Sequence, residues 1–475
     1  MSDECSFEGA CESPFESSFE GSIESSINKA IFQSVEISPE LLKAMRDIFH
    51  DDPQNRARLN AIVKSGVDAA SENVREQVEN PMVFSIEIPT GKITEQKKSG
   101  RCWLFAATNT LRLAVMRKLN LETFELSQAW LCFWDKLEKA NYFLESILET
   151  LDEPTDGRLI AHLLADPIQD GGQWDMFCGL AEKYGVVPKD VYPESFHSSE
   201  TGKMNALITD KLREFACLIR EMYADGRTRM QLALRKAYFL SEIYRMLSLC
   251  LGEPPEVLDF EVRDKDKGFH RDLGITPKGF YEKYIGKTLE DYVSVINAPT
   301  EDKPYYKTFT VSYLGNVKGG RSVKYLNLPV DEQKALAIAQ LSDDEPVWFG
   351  CDVGKMLNRT YGLMGMNTFD YEASMGMTFK MDKAARLDYH QSMMTHAMVL
   401  LGVNLIDGKP NRWKVENSWG EDSGQKGYYI MTDAWFSEYN YQVVVHKKYL
   451  SAEQLQAWEQ EPIVLKPWDP MGSLA

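Results

Sequence analysis

The chain has 475 residues, with 53 Lys and Arg against 71 Asp and Glu, for a net charge of −18. That balance argues against a nucleic-acid partner, because phosphate binding needs a Lys or Arg stripe and the basic clusters here, such as Lys97-Lys98 and Lys447-Lys448, are short and scattered. No uninterrupted apolar stretch reaches about 18 residues, so no membrane span is expected.

The first 28 residues form an acidic Ser/Glu/Phe-rich tract with an internal echo, Ser6-Phe7-Glu8-Gly9 and Ser18-Phe19-Glu20-Gly21. Low complexity and acidity predict a disordered tail over 1–35, the alternative being a docking motif built on its phenylalanines. The tract lacks an apolar h-region and is not a signal peptide. The eight cysteines contain no C-x-x-C pair and no metal-ligand spacing. We therefore expect no metal, no cofactor, no disulfides and a reducing, cytoplasmic setting. Ser38-Pro39-Glu40 is a helix-start signal, and ordered structure is expected from there.

Gln96-Lys97-Lys98-Ser99-Gly100-Arg101-Cys102-Trp103 sets a cysteine at the start of an apolar helix, with a glutamine six residues upstream. A helix N-terminus favours a thiolate. The Cys102 N–H and the Gln96 amide are then candidate oxyanion donors. Leu104-Phe105-Ala106-Ala107, followed by Leu111, Ala114, Val115 and Leu119, predicts a buried helix, with Ser99 and Gly100 as its start signals. The alternative is an inert core cysteine, the usual fate of a free thiol.

Further helices are expected at Leu126–Leu148, after Gly171-Gly172-Gln173-Trp174, at Asn205–Ala224 and at Thr228–Leu251, the last ended by Gly252-Glu253-Pro254-Pro255. Gly350-Cys351-Asp352-Val353-Gly354-Lys355 is one residue short of a phosphate loop and reads as a turn after the Val347-Trp348-Phe349 strand. His396 enters an apolar run typical of a buried strand. Asp407-Gly408 then marks a hairpin, and a second strand ends at Glu416-Asn417-Ser418-Trp419-Gly420. The hairpin predicts His396 and Asn417 side by side, with Asn417 accepting from one imidazole nitrogen, the other left for Cys102, and Trp419 roofing that bond. Pro467-Trp468-Asp469-Pro470-Met471-Gly472-Ser473-Leu474-Ala475 is apolar and Pro-constrained, whereas frayed termini are usually polar.

The order Gln96, Cys102, His396 and Asn417-Ser418-Trp419-Gly420 resembles the papain-like cysteine peptidases. With Asp170–Met176, Arg263–Lys267, Val347–Lys355, Met394–Met398 and Trp468–Gly472, it resembles their bleomycin hydrolase and aminopeptidase C branch, from about Ile37 to Ala475. The resemblance implies an α+β, two-lobe fold, a Cys102 nucleophile, a His396 acid/base, an Asn417 orienter and a Gln96 oxyanion donor. It implies a broad-specificity aminopeptidase acting on peptides and small amides. A C-terminal arm would lie in the cleft, with Ala475 anchoring the substrate's N-terminus. Arg101 departs from the small residue that secreted relatives place before the cysteine, but fits this branch. Roughly 290 residues separate Cys102 from His396, about twice the 130–150 of the simplest papain-type layout. The surplus predicts an inserted helical unit, and the resemblance implies a homohexamer built through it. The expected organisation is a tail over 1–35, a left lobe over 36–200, the insertion over 201–290, a right lobe over 291–460 and the arm over 461–475. A thiol acyltransferase, an endopeptidase and a noncatalytic scaffold are the competing readings, and Asn417 in place of Asp speaks against the first.

Overall fold

A computed structural model of the protein describes residues 36–474. The predicted tail over 1–35 and the Ala475 anchor lie outside the described residues. Two compact units emerge, one of residues 36–73 with 369–379, the other of residues 74–368 with 380–474.

In the smaller unit the first helix runs Pro39–Asp51, and Ser38 Oγ accepts from the Leu41 N–H at 3.2 Å, which satisfies one of the orphan donors of its first turn. Helices Gln54–Ser65 and Val67–Ser71 follow, and Tyr371–Met375 joins them through Tyr371 Oη on Asp68 at 2.8 Å and Arg58 Nε on the Ala373 carbonyl at 3.1 Å.

The larger unit sets helices against one twelve-stranded, mostly antiparallel sheet. Strand His396–Ile406 lies inside that sheet. It pairs antiparallel with Val347–Cys351, His396 opposite Cys351, and with Lys409–Glu416, Val399 opposite Glu416. Nearly every residue at its start is buried on both faces, which is why it reads as a continuous apolar run and not an alternating one. The Asp407-Gly408 hairpin forms with both residues in the left-handed region, φ 51° and 78°. Beyond Val347–Cys351 come Asn440–His446, Tyr292–Ile296, Tyr325–Asn327, Lys307–Val311 and Ile463–Leu465.

Helix Cys102–Lys118 is buried on almost every side and packs on the His396 strand. Ser127 caps helix Gln128–Glu149, and Trp174–Tyr184 ends at Gly185. The paired helices Gly202–Ala224 and Arg229–Leu251 bury Met204, Ile208, Leu212, Phe215 and Ile219 against Leu232, Phe239, Ile243, Leu247 and Leu251, with Phe215 stacked on Phe239. The first begins three residues before the expected Asn205, because Thr201 and Asn205 are drawn onto the Asp170 carboxylate. Thr228 and Gln231 form the capping box of the second.

Candidate active site

Cys102 is the first residue of its helix and is buried. The residue before it, Arg101, occupies the N-cap position without a capping side chain. Here the sequence reading needs correcting, because Ser99 does not cap. Its hydroxyl turns back to donate to the Gln96 carbonyl at 2.7 Å and accepts from Arg101 Nε at 2.9 Å. Arg101 is buried, paired in a fork with Glu194 at 3.2 and 2.9 Å, and its charge rests over the Phe105 ring. An arginine therefore fits before Cys102 because a carboxylate is built to receive it.

The loop facing the helix tip is fixed by Asp170. Its carboxylate accepts from the Gly100 N–H at 2.8 Å, Asn205 Nδ2 at 2.7 Å and the Thr201 hydroxyl, and pairs with buried Lys136 at 2.6 Å. Burial works to raise its pKa, yet Lys136 and these donors hold it well below the ordinary carboxylate range. The Asp170 carbonyl takes the Trp103 indole N–H at 2.8 Å. Gly172 lies flat on that indole, where a Cβ would come within 2.4 Å of the ring.

The Ala397 backbone N–H, next in the chain to His396, lies close enough to the Cys102 thiol to favour its thiolate. Helix tip and strand entrance thus meet at one place. His396 Nε2 lies 2.9 Å from Asn417 Oδ1, which also accepts from the Ser418 N–H at 2.7 Å. The Trp419 ring packs 4.9 Å from the imidazole, tilted 33°. Gln96 Nε2 donates to the Ser99 carbonyl at 2.5 Å, while its Oε1 accepts from the Ser418 hydroxyl at 2.7 Å. The amide therefore turns its nitrogen toward the turn carrying Cys102, with one N–H uncommitted. The structure brings together Gln96, Cys102, His396, Asn417 and Trp419.

Burial dominates the electrostatics of both groups. Taken alone, the Cys102 thiol is pushed up to about 11, only partly offset by the Ala397 and Trp103 N–H groups. Burial likewise lowers His396 to about 4, against the Asn417 hydrogen bond, and the Arg359 cation adds to the lowering. The sequence reading expected a depressed thiol from the helix start, and the enclosure opposes it. Burial thus favours the neutral form of each group.

Sequence reasoning missed the group that ties these segments together. Glu416, one residue before Asn417, is buried and pairs with buried Arg112 at 2.8 Å. It also accepts from Asn109 Nδ2 at 2.6 Å and the Thr90 hydroxyl at 2.8 Å. Asn109 and Arg112 stand two and three turns along the Cys102 helix. Arg112 also donates to the Lys92 carbonyl at 2.8 Å and Asn109 to Thr94 Oγ1 at 3.0 Å, on the segment that ends in Gln96. One carboxylate thus holds three site-bearing segments in register, and a lone Glu in a strand gives no sign of it. Arg112→Met leaves that charge buried without its cation and is expected to cost about 3–5 kcal/mol, read as a lower urea midpoint. In Arg112→Met/Glu416→Leu most of the loss should be recovered. A single variant within about 0.5 kcal/mol of wild type would mean the pair is not needed.

The chain's end is anchored as far as Ser473. Trp468 lies under Arg158, 3.9 Å from guanidinium carbon to ring, and Asp469 pairs with buried Lys303 at 3.0 Å. The Tyr325 hydroxyl donates to the Met471 carbonyl at 3.2 Å. Gln173 Nε2 donates to the Ser473 carbonyl at 2.7 Å, and Ser473 Oγ donates to the Met394 carbonyl at 2.5 Å. Ser473 therefore sits between the segment packed on Trp103 and the entrance to the His396 strand.

Comparison with known proteins bears on this geometry. The model of the Peptidase C1-like family matches residues 36–472. Aminopeptidase C of Listeria monocytogenes is 50% identical over 440 residues, covering 93% of this chain and 99% of the relative. Bleomycin hydrolase of Gallus gallus is 47% identical over 403 residues, covering 83% and 89%. The crystal structure of PepW from Lactobacillus rhamnosis HN001 superposes with a TM-score of 0.92 at 49% identity, covering 93% of this chain and all of that one.

Proposed function

This chain belongs to the Peptidase C1-like family, with a papain-like α+β fold, and is a cysteine-type aminopeptidase; on that footing we propose that it removes N-terminal residues from peptides and small amides through a Cys102-His396-Asn417 triad. The observation that carries the reading is the His396–Asn417 hydrogen bond at the point where the next N–H of the same strand meets the Cys102 sulfur. Cys102 passes its proton to His396 and attacks the substrate carbonyl. The oxyanion is held by the Cys102 N–H and the free N–H of Gln96. His396 gives the proton to the leaving nitrogen, the C–N bond breaks, and a thioester remains on Cys102. Water then adds, His396 takes its proton, the C–S bond breaks, and acid and thiol are released.

Anchoring of residues 468–473 supports a further step. The arm closes the acyl side of the cleft, so that only the first residue of a substrate fits and an endopeptidase site becomes an aminopeptidase. The six described cysteines are all free, which accords with a reducing, cytoplasmic setting, and no helix among the described residues is long and apolar enough to cross a membrane. Leu207, Met230, Leu234 and Leu249, exposed on the inserted helices, support assembly into a closed oligomer, a hexamer in the reading of the resemblance.

Gln96→Ala tests the assignment of roles. Loss of one oxyanion donor is expected to lower kcat on leucyl amides by about 10²–10³-fold with little change in KM. Unchanged kcat would remove Gln96 from the mechanism and with it the papain-type reading of the helix tip.

A further inference from the structure

Trp419 has a second neighbour, for which the reaction above has no use. The Arg359 guanidinium lies over its ring, 4.0 Å from carbon to centroid. Arg359 stands at the tip of a short hairpin between strands Leu357–Asn358 and Leu363–Met364. That tip is pinned from both sides. Gly362 and Tyr361 N–H groups donate to the Asn358 carbonyl and Oδ1, both at 2.9 Å, the Gly424 N–H donates to the Arg359 carbonyl at 3.0 Å, and the Ile430 N–H donates to the Gly362 carbonyl at 2.8 Å.

Arg359 is exposed and forms no ion pair among the described residues. Glu95, whose backbone bridges to that of Trp419, is already paired with Lys97. Glu421 and Asp422, on the turn that follows, make no ion pair with Arg359. In a chain of net charge −18, an unneutralised cation is thus held still beside the acid/base ring.

We infer that Arg359 is a specificity-determining residue that receives a carboxylate on the residue following the scissile bond, either the C-terminal carboxylate of a dipeptide or an acidic side chain. The inference rests on the catalytic reading above. In that reading His396 delivers its proton to the leaving nitrogen, so the leaving residue lies on the imidazole's side while the acyl part stays on Cys102. A cation stacked on the indole that flanks the imidazole meets the part that leaves. Stacking uses the flat face of the guanidinium; one edge N–H serves the Tyr429 hydroxyl, and the remaining edge donors face a two-oxygen acceptor. The fixed hairpin lowers the ordering cost of the contact.

The test compares kcat/KM within two substrate pairs at low salt, Leu-Glu-NH2 against Leu-Gln-NH2 and Leu-Gly against Leu-Gly-NH2. The charged member of at least one pair should be favoured about fivefold, the effect of one exposed charge pair, and the preference should shrink as salt is raised. A preference in the first pair assigns the side chain as the source, and one in the second assigns the terminal carboxylate. Arg359→Met should bring the ratio close to one, Arg359→Lys should keep part of it, and Arg359→Glu should invert it. Each ratio compares substrates that share the same chemistry, so a mere displacement of Trp419 leaves it unmoved. A wild-type ratio of one in both pairs, or a ratio unchanged in Arg359→Met, overturns the inference. Turnover of all four substrates that survives Cys102→Ala would sink the catalytic reading and this inference with it.

Discussion

Cys102→Ala is expected to lose turnover of leucyl amides by at least about 10⁴-fold while keeping the fold. The side chain lost is small and Trp103, Leu104 and Phe105 continue to hold the helix, so the thermal midpoint should stay close to that of wild type. The same cysteine gives a pH signature. Alone, burial pushes its thiol up to about 11 and draws His396 down to about 4. In the proposed mechanism the active form carries one proton shared between the two groups. It is lost in acid, when the thiolate takes up a proton, and in base, when the imidazolium gives one up, so kcat/KM should be bell-shaped with two limbs that belong to the pair. Iodoacetamide should therefore alkylate wild-type Cys102 at mildly acidic pH, where an ordinary thiol with a pKa of about 8.5 is almost wholly protonated. In His396→Ala only the Ala397 and Trp103 N–H groups offset the burial of the thiol, and alkylation at pH 7 should slow by roughly 10²-fold or more. An alkylation profile unaltered by His396→Ala would end the pairing.

Much of this site is legible in the sequence because its signals are local. A cysteine opening an apolar helix, an Asp-Gly hairpin and an Asn-Ser-Trp-Gly end each follow from short-range rules, and the hairpin register carries His396 to within 2.9 Å of Asn417. The fold class follows from the family resemblance that these same motifs carry, not from the apolar runs alone. What stayed hidden is long-range pairing of polar groups. Ser99 looks like a cap, yet Gln96 and Arg101 compete for its hydroxyl and win. Glu416, Arg112 and Asn109 look like ordinary polar residues until the helix and strand are packed together. Arg359 lies in a sequon-like Asn-Arg-Thr that carries no chemistry of its own, and only the fold brings it over Trp419. The sign of the burial effect on Cys102 was hidden for the same reason, since enclosure is a property of the assembled cleft.

Deleting residues 472–475 is expected to open the protein to N-acetylated peptides, with a gain on the order of 10³-fold over the wild type's residual rate, equivalent to removing about 4 kcal/mol of steric exclusion. In the proposed function the arm acts as a rigid obstacle, and each step along residues 468–473 is held. Trp468 is stacked under Arg158, the Asp469 carboxylate is paired with Lys303 and accepts from the Met471 N–H at 2.8 Å, and Met471 is buried. Ser473 is then gripped from two sides, by Gln173 and by the Met394 carbonyl, two residues before His396. Chain upstream of a scissile bond at Cys102 would have to pass this point, and a blocked N-terminus would meet it first. The deletion leaves the anchors at Trp468, Asp469 and Met471 intact, so the fold should persist and the cleft alone should change. Free-amine leucyl amides should lose rate at the same time if, as proposed, the arm also orients a short substrate. Gln173→Leu provides an independent check, since it removes one grip on Ser473 without shortening the chain, and should raise hydrolysis of N-acetylated peptides by a smaller factor. If the deletion variant keeps full activity on free amines and still rejects N-acetylated peptides, the arm is packing only, and exopeptidase register must be set by another part of the cleft.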